Sequence, residues 1–167
     1  VVAVPVPSSR IAGPILAKAG LKEPERWLAL AGGSPVLAMD MAAAGQNAWL
    51  DVLATRLGAG RNGDPLAVAA ELEKAIKDSK GKLMLKQVVD AVQKWLVDLT
   101  LARNGMPVRY FLPQQATISG LADMIPPARL IQSYRVAITR RQEAEQPLNA
   151  RLFLEGLFLD YRALFAS

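Results

Sequence analysis

The sequence predicts an all-α protein, and three observations lead to that prediction. Apolar residues recur at intervals of three and four along most of the chain, alanine supplies much of the apolar content, and the alternation typical of strands is nearly absent. Only Val1–Val6 and Val108–Leu112 have the β-branched or aromatic character of a strand. With 167 residues, 51% of them hydrophobic and 21% charged, the chain can bury a core as one domain of ordinary size, with or without a small appended piece.

Proline, N-cap residues and glycine mark where the predicted helices begin and end. Pro24 falls in a first turn and Gly32-Gly33 at a C-terminus, which is the usual distribution of these residue types. We interpret GAGRNG, residues 58–63, as a flexible linker, because it lacks the Lys and the following Ser or Thr of a phosphate-binding loop and follows no strand. The predicted helices span about residues 8–20, 23–31, 35–44, 46–57, 65–79, 83–103, 119–124, 127–141 and 149–165.

The helix predicted at about residues 83–103 is the clearest amphipath. Its charged and amide side chains lie opposite a continuous apolar face, so we expect it to be the central helix of the core. The apolar face consists of Leu85, Val88, Val89, Val92, Trp95, Leu96 and Leu99.

The last predicted helix is apolar on more than one side. A broad apolar arc runs from Leu154 to Phe165, Leu152 and Leu159 lie on another side, and the charges share a narrow stripe. Two interpretations remain open: this is a central helix of the domain's own core, or one side of it packs against another subunit. For the second interpretation, the predicted interface residues are Leu152, Phe153, Leu157, Phe158, Tyr161 and Leu164.

The absence of histidine and cysteine removes most catalytic and metal-binding chemistry. Neither a Ser-His-Asp or Cys-His arrangement nor a zinc-thiolate site can form, and there is no imidazole to act as a base near neutral pH. The carboxylate pairs Glu71 with Glu73 and Glu143 with Glu145 are two residues apart on helices, so their members do not face each other. We therefore predict no catalytic residue, no metal and no cofactor, and an enzyme that works by carboxylate chemistry remains a weak alternative.

The formal net charge of +5 suits an anionic partner but does not require one. Arg129, Arg135, Arg140 and Arg141 lie on one predicted helix, but no aromatic residues alternate with them as in a platform for stacked bases. A stand-alone basic helical module that binds DNA is kept as the alternative. No apolar stretch reaches the length of a membrane span and no signal peptide is recognised, so we expect a cytoplasmic protein.

The stretch LALAGGSPVLAM, from Leu28 to Met39, joins two helices by a turn that could bind an anion. A helix N-terminus preceded by glycine presents free N–H groups to an anion. Here Pro35 removes one donor, and Val36 and Leu37 bring apolar bulk where a cation would be needed. We interpret this turn as a joint between helices.

Three segments resemble a known family. WLALAGGSPVLAMDMAAAG, KWLVDLTLARNG followed by PVRYFLP, and LNARLFLEGLFLDYRALF are similar, in this order, to the C-terminal region of the delta-prime subunits of bacterial DNA polymerase III. Delta-prime belongs to the clamp loader, a five-membered AAA+ assembly that places the sliding clamp on primed DNA. The resemblance implies that residues 1–44 form the small helical lid of an AAA+ module and residues 45–167 a larger helical-bundle collar domain that joins subunits.

The resemblance also implies what this chain does within such an assembly. In the ATP-hydrolysing relatives, an arginine that senses nucleotide follows the turn that matches Gly33 and Ser34, and Val36 occupies its position here. The turn would therefore be a degenerate sensor without ATP contact, as suits a rigid stator. The implied partners are the gamma/tau and delta subunits, with the sliding clamp and primed DNA reached indirectly through the complex.

Overall fold

The computed structural model describes residues 14, 18, 20, 23–43, 47–144 and 149–165, and this part of the chain is helical without strands. The fold class predicted from the sequence is therefore confirmed. The helix predicted at residues 8–20 and the strand-like Val1–Val6 fall almost entirely outside the described residues. The helices are α1 (Pro24–Leu30), α2 (Pro35–Ala43), α3 (Asn47–Gly58), α4 (Pro65–Asp78), α5 (Leu85–Arg103), α6 (Gln115–Ala122), α7 (Pro127–Glu143) and α8 (Ala150–Arg162), with short 3-10 turns at Gly60–Asn62, Leu112–Gln114 and Ala163–Phe165.

Capping residues explain why most helix boundaries agree with the sequence. At the start of α4, the carboxylate of Asp64 accepts the N–H groups of Leu66 (2.9 Å) and Ala67 (3.3 Å), and Pro65 follows at the first helical position. At the start of α8, the side chain of Asn149 accepts the N–H of Leu152 (3.1 Å). These bonds form between neighbours in the chain, so the sequence alone reveals them.

Helix α5 lies in the middle of the bundle, as its amphipathic pattern predicts. Helices α6 and α7 pack against it, α8 packs along α4, and α3 packs on α4 and α6. Each residue of the predicted apolar face of α5 is buried. Trp95 contacts Phe111 edge-on, with ring centroids 5.1 Å apart, and it joins α5 to the segment that follows the helix.

Helices α1 and α2 pack on each other and share the apolar core of the rest of the chain. Trp27 and Leu28 belong to the same buried cluster as Trp95. The ammonium group of Lys94 donates to the carbonyl oxygen of Leu30 (2.7 Å), and Arg26 pairs with Asp51. The described residues on both sides of the predicted lid–collar boundary, between residues 44 and 45, therefore share one core. The division into two domains stays a prediction.

Val108–Leu112, which has the composition of a strand, forms no strand in the structure. The N–H groups of Arg109, Tyr110 and Phe111 do not enter a ladder, because they donate to the buried carboxylate of Asp98 on α5. The β-branched and aromatic residues are there to fill the core: Val108 and Phe111 are buried. Local composition cannot distinguish a strand from a segment held by one distant acid.

Within residues 58–63, which the sequence predicts to be a flexible linker, Gly60 is packed into the core, while Ala59, Arg61 and Asn62 are exposed. Gly60 begins a 3-10 turn, is buried and has a φ of +56°. A Cβ atom at this position would lie 2.7 Å from Cδ2 of Leu121 and 3.6 Å from the ring of Phe165. Glycine is therefore required both by the backbone conformation and by the close approach of two core side chains.

We expect Gly60→Ala to be more destabilising than Gly81→Ala. Both positions have positive φ, but Gly81 has open space around its Cα, so its substitution costs only the backbone strain of about 1 kcal/mol. At Gly60 the buried Leu121 must also shift, which adds about 1 kcal/mol or more. Urea unfolding measured by circular dichroism gives both values, and equal losses in the two variants would show that Gly60 is not packed as described.

Candidate interaction surfaces

Both carboxylates of the first pair, Glu71 and Glu73, are bound to cations. Glu71 binds Arg56, and Glu73 binds Lys77 (2.8 Å) and Arg151 (3.4 Å). The hydrogen bond from Lys77 lowers the pKa of Glu73, and the bond to Glu71 raises the pKa of Arg56. A carboxylate held in its ionised form is a poor proton donor near neutral pH.

The second carboxylate pair, Glu143 with Glu145, is described only in part. Glu143 pairs with Arg140 (3.3 Å), and Glu145 lies outside the described residues. Among the residues described, no three acidic side chains come together to hold a metal ion. A groove of about 260 Å³ between α5, α7 and α8 has an apolar floor and a single acid in its lining, Asp160, which is bound by Arg140 (3.0 Å).

The turn predicted as a degenerate sensor closes α1 and opens α2. The N–H of Gly33 donates to the carbonyl of Leu28 (2.7 Å) and that of Gly32 to Ala29 (3.1 Å), which is a Schellman closure with Gly32 at a φ of +66°. Ser34 caps α2 by accepting the N–H of Leu37 (3.3 Å). The N–H groups of both glycines are thus used inside the turn, as in a joint between helices.

The surroundings of this turn also favour the joint over an anion site. Val36 is 72% exposed on the first turn of α2. A depression of about 380 Å³ beside Gly32 and Gly33 is lined by one cation, Arg109, and one anion, Glu25. Because these two charges have opposite signs, the depression has no net positive charge to attract an anion. The absence of ATP contact at Gly33, Ser34 and Val36 remains a prediction.

The structure corrects the predicted interface on the last helix for four of its six residues. Leu157, Phe158, Tyr161 and Leu164 are buried within this chain, so in this fold they offer no surface to a partner. The reason is that α8 turns its broad arc toward α4 and the core, which is the other interpretation left open by the sequence. The outward side of α8 carries Leu152 and Leu159, which are exposed, and Phe153 is partly buried.

Tyr161 shows most clearly that this arc belongs to the core. Its hydroxyl donates to the carbonyl oxygen of Leu57 (2.7 Å) and accepts the indole N–H of Trp95 (3.1 Å). Its ring lies edge-on to Phe165, with centroids 5.4 Å apart. One buried hydroxyl thus ties the C-terminal end of α3 to α5 and α8, and its burial raises the pKa of Tyr161 above the ordinary value.

An exposed apolar stripe lies on α7, a helix whose arginines alone attracted attention in the sequence. This 17-residue helix has two buried residues, Leu130 and Ala137. On its outward side, Ile131 is 59%, Tyr134 43% and Ile138 44% exposed. These three residues, hereafter the α7 face, follow a spacing of three and four and so form one stripe along the helix.

The arginines of α7 point in different directions. Arg140 turns toward α8, where it pairs with Asp160 (3.0 Å) and lies over the ring of Phe153 (6.0 Å). Arg141 pairs with Asp90 of α5 (3.4 Å), and Arg129 donates to the carbonyl of Leu164 (3.4 Å). Most of this positive charge is therefore engaged within the protein, and it does not form a single basic surface.

Two features of the structure were not predicted, although each leaves a signal in the sequence. Asp98 is a lone acid on the apolar face of α5, between Trp95 and Leu99, and a buried acid needs partners. On α7, Ile131, Tyr134 and Ile138 adjoin Leu130 and Ala137 on the helical wheel, so the apolar arc is wider than the two buried residues. An apolar arc that extends beyond the buried residues leaves apolar surface open to a second packing partner.

The chain was compared with protein-family models, with curated proteins and with solved structures, and none of them matches. None of the described helices combines the length and the apolar character that crossing a bilayer requires.

Proposed function

We propose that this chain is a non-catalytic scaffold that joins subunits of a bacterial clamp loader, with residues 1–44 as the lid and residues 45–167 as the collar. The clamp-loader assignment rests on the three segments that resemble delta-prime. The assembly role rests on the α7 face, three large apolar side chains exposed on a helix of which two residues are buried. A surface of this kind is typical of protein association.

Other features support an assembly role over an enzyme or a DNA-binding module. Glu71, Glu73 and Glu143 are bound to arginine or lysine, and Arg140 and Arg141 are bound to Asp160 and Asp90. Because these arginines are already paired with acids of this chain, α7 has little positive charge left to contact phosphates. The partners proposed are the gamma/tau and delta subunits in the cytoplasm, with the sliding clamp and primed DNA reached through the complex.

The proposal is tested by mixing the chain with gamma/tau and delta subunits and measuring the masses of the species formed by size-exclusion chromatography with light scattering. We expect a stoichiometric complex. A folded chain that elutes alone would contradict the proposal. Submicromolar, strongly salt-dependent binding of primed DNA by the isolated chain would instead favour the DNA-binding alternative, because counterion release dominates such contacts.

A further inference from the structure

We propose that the turn between α4 and α5 binds the phosphodiester backbone of DNA through the lysines of residues 74–86, hereafter the lysine loop, without recognising the base sequence. This inference rests on the proposed function only in that the assembly would bring DNA close to the chain. It adds a direct contact to the indirect route through the complex.

Positive charge is concentrated in the lysine loop. The loop has five lysines and one acid, a formal net charge of +4, and the whole chain has a formal net charge of +5. All five lysines are exposed: Lys74, Lys77, Lys80, Lys82 and Lys86. Nearly all of the net charge of the protein thus lies around one turn between two successive helices, where it attracts an anionic partner.

The fold leaves most of this charge without a counter-charge. The acids of α4 that precede the loop, Glu71 and Glu73, are already bound to cations. Within the described part of the chain, no acid forms an ion pair with Lys74, Lys80 or Lys82. Three lysine side chains therefore remain available for phosphate groups.

The stability of the two helices explains only part of this lysine content. Lys77 lies in the last turn of α4, where a cation is favourable beside the carbonyl end of a helix. Lys86, however, lies in the first turn of α5, where a cation is unfavourable. Lys80 has a φ of +53°, a left-handed conformation that is strained for a residue with a Cβ atom. Unfavourable choices of this kind are typical of functional sites.

The backbone of the lysine loop is held by its own hydrogen bonds. The hydroxyl of Ser79 donates to the carbonyl oxygen of Ile76 (2.7 Å) and accepts the N–H of Leu83 (2.9 Å). Leu83 is buried, so it fixes the end of the turn that carries Lys80 and Lys82. A turn that is already ordered loses little backbone freedom when it binds a partner.

The composition of the lysine loop favours nucleic-acid phosphates over a protein or a membrane. The loop contains no arginine and no aromatic residue, so it has neither the bidentate donors that read guanine nor the rings on which bases stack. Lysine is depleted at protein interfaces, where arginine and aromatic residues are enriched. The loop exposes one large apolar side chain, Met84 (60%), which is less than the apolar face that a membrane surface requires.

The test measures binding of the isolated chain to fluorescein-labelled DNA, either duplex or single-stranded, by anisotropy between about 50 and 200 mM NaCl. Lys80→Gln combined with Lys82→Gln removes two charges from the loop. Arg61→Gln combined with Arg103→Gln is the matched control, since it removes two charges from exposed residues beyond the start of α4 and at the end of α5. Arg103 is about 25 Å along α5 from Lys86, which exceeds the Debye length. Melting temperatures establish that each variant is folded.

We expect the wild-type chain to bind DNA with a dissociation constant of about 10–100 µM at low salt, as for phosphate contacts without base recognition. Each lost lysine contact should reduce the slope of log affinity against log salt by about one, so the lysine variant should bind about tenfold or more weakly. The arginine control should stay within about twofold of the wild type. Equal weakening in the two variants would overturn the inference.

Lys80→Gly separates a contact with DNA from a structural role. Glycine adopts a φ of +53° without strain, so the melting temperature should stay the same or rise while DNA binding weakens by about threefold. A lower melting temperature together with weaker binding would show that Lys80 serves the fold, and would contradict its role in phosphate binding.

Two other outcomes would identify a different partner and so overturn the inference. The first is competition by polyglutamate that equals competition by unlabelled DNA of the same charge, which would assign the lysine loop to an acidic protein segment. The second is binding to vesicles of phosphatidylglycerol and phosphatidylcholine without binding to DNA, which would assign it to an anionic membrane.

The outcome for the lysine loop is independent of the outcome for the proposed function. A chain that joins the loader subunits but binds no DNA would overturn this inference and leave the proposed function intact. A chain that binds DNA through the lysine loop but joins no loader subunit would overturn the proposed function alone.

Discussion

Asp98→Ala is expected to be the most destabilising of the single substitutions considered. The Asp98 side chain is completely buried, and its two oxygens accept the N–H groups of Arg109 (2.8 Å), Tyr110 (3.1 Å) and Phe111 (2.7 Å). Without the carboxylate, the buried N–H of Phe111 loses its partner and the segment is released from α5. Losing several bonds to a charged acceptor should lower the free energy of unfolding by about 2–4 kcal/mol, measured by urea denaturation.

Asp90→Ala provides the matched control on the same helix. Asp90 is partly exposed and pairs with Lys94 (3.1 Å) and Arg141 (3.4 Å), contacts that contribute roughly 0–1 kcal/mol at a surface. Because Phe111 packs on Trp95, the indole fluorescence of Asp98→Ala should also change in the folded state. A loss of stability no larger than that of Asp90→Ala would show that Asp98 does not hold residues 109–111.

Tyr161→Phe is expected to have the second largest effect, although it removes one oxygen atom. That hydroxyl is the acceptor for the indole N–H of Trp95 and the donor to the carbonyl of Leu57. Both groups would be left buried without this partner, so we expect a loss of about 1–3 kcal/mol in the free energy of unfolding. Tyr134→Phe, at an exposed tyrosine, should change it by less than about 0.5 kcal/mol.

The pH dependence of stability offers a second measurement on Tyr161. Burial raises its pKa in the folded state, so its contribution to stability is complete below the ordinary tyrosine pKa of about 10 and is lost as the pH rises above that value. In the wild type, the free energy of unfolding should fall from about pH 10 upward, and Tyr161→Phe should lack this part of the fall. Identical alkaline profiles for the two proteins would contradict the assignment.

Local chemistry in the sequence was enough to predict the helical fold class and most helix boundaries. Asp64 with Pro65, and Gly32 with Gly33, act on residues within five positions of themselves, so their effects are visible without tertiary structure. The amphipathic pattern of α5 likewise identified the central helix, because a continuous apolar face along a long helix has to be covered by other helices. The clamp-loader assignment also comes from the sequence and stays a prediction.

Only the tertiary structure decided how these helices meet and what remains outside. The sequence showed that the last helix was apolar on several sides, but packing against α4 determined that Tyr161 is buried while Leu152 is exposed. Val108–Leu112 has the composition of a strand, but Asp98, ten or more residues earlier, takes its N–H groups. Gly60 is confined by Leu121, distant in the sequence. The physical reason is the same in each case: hydrogen-bond partners and apolar contacts far apart in the chain carry no local pattern.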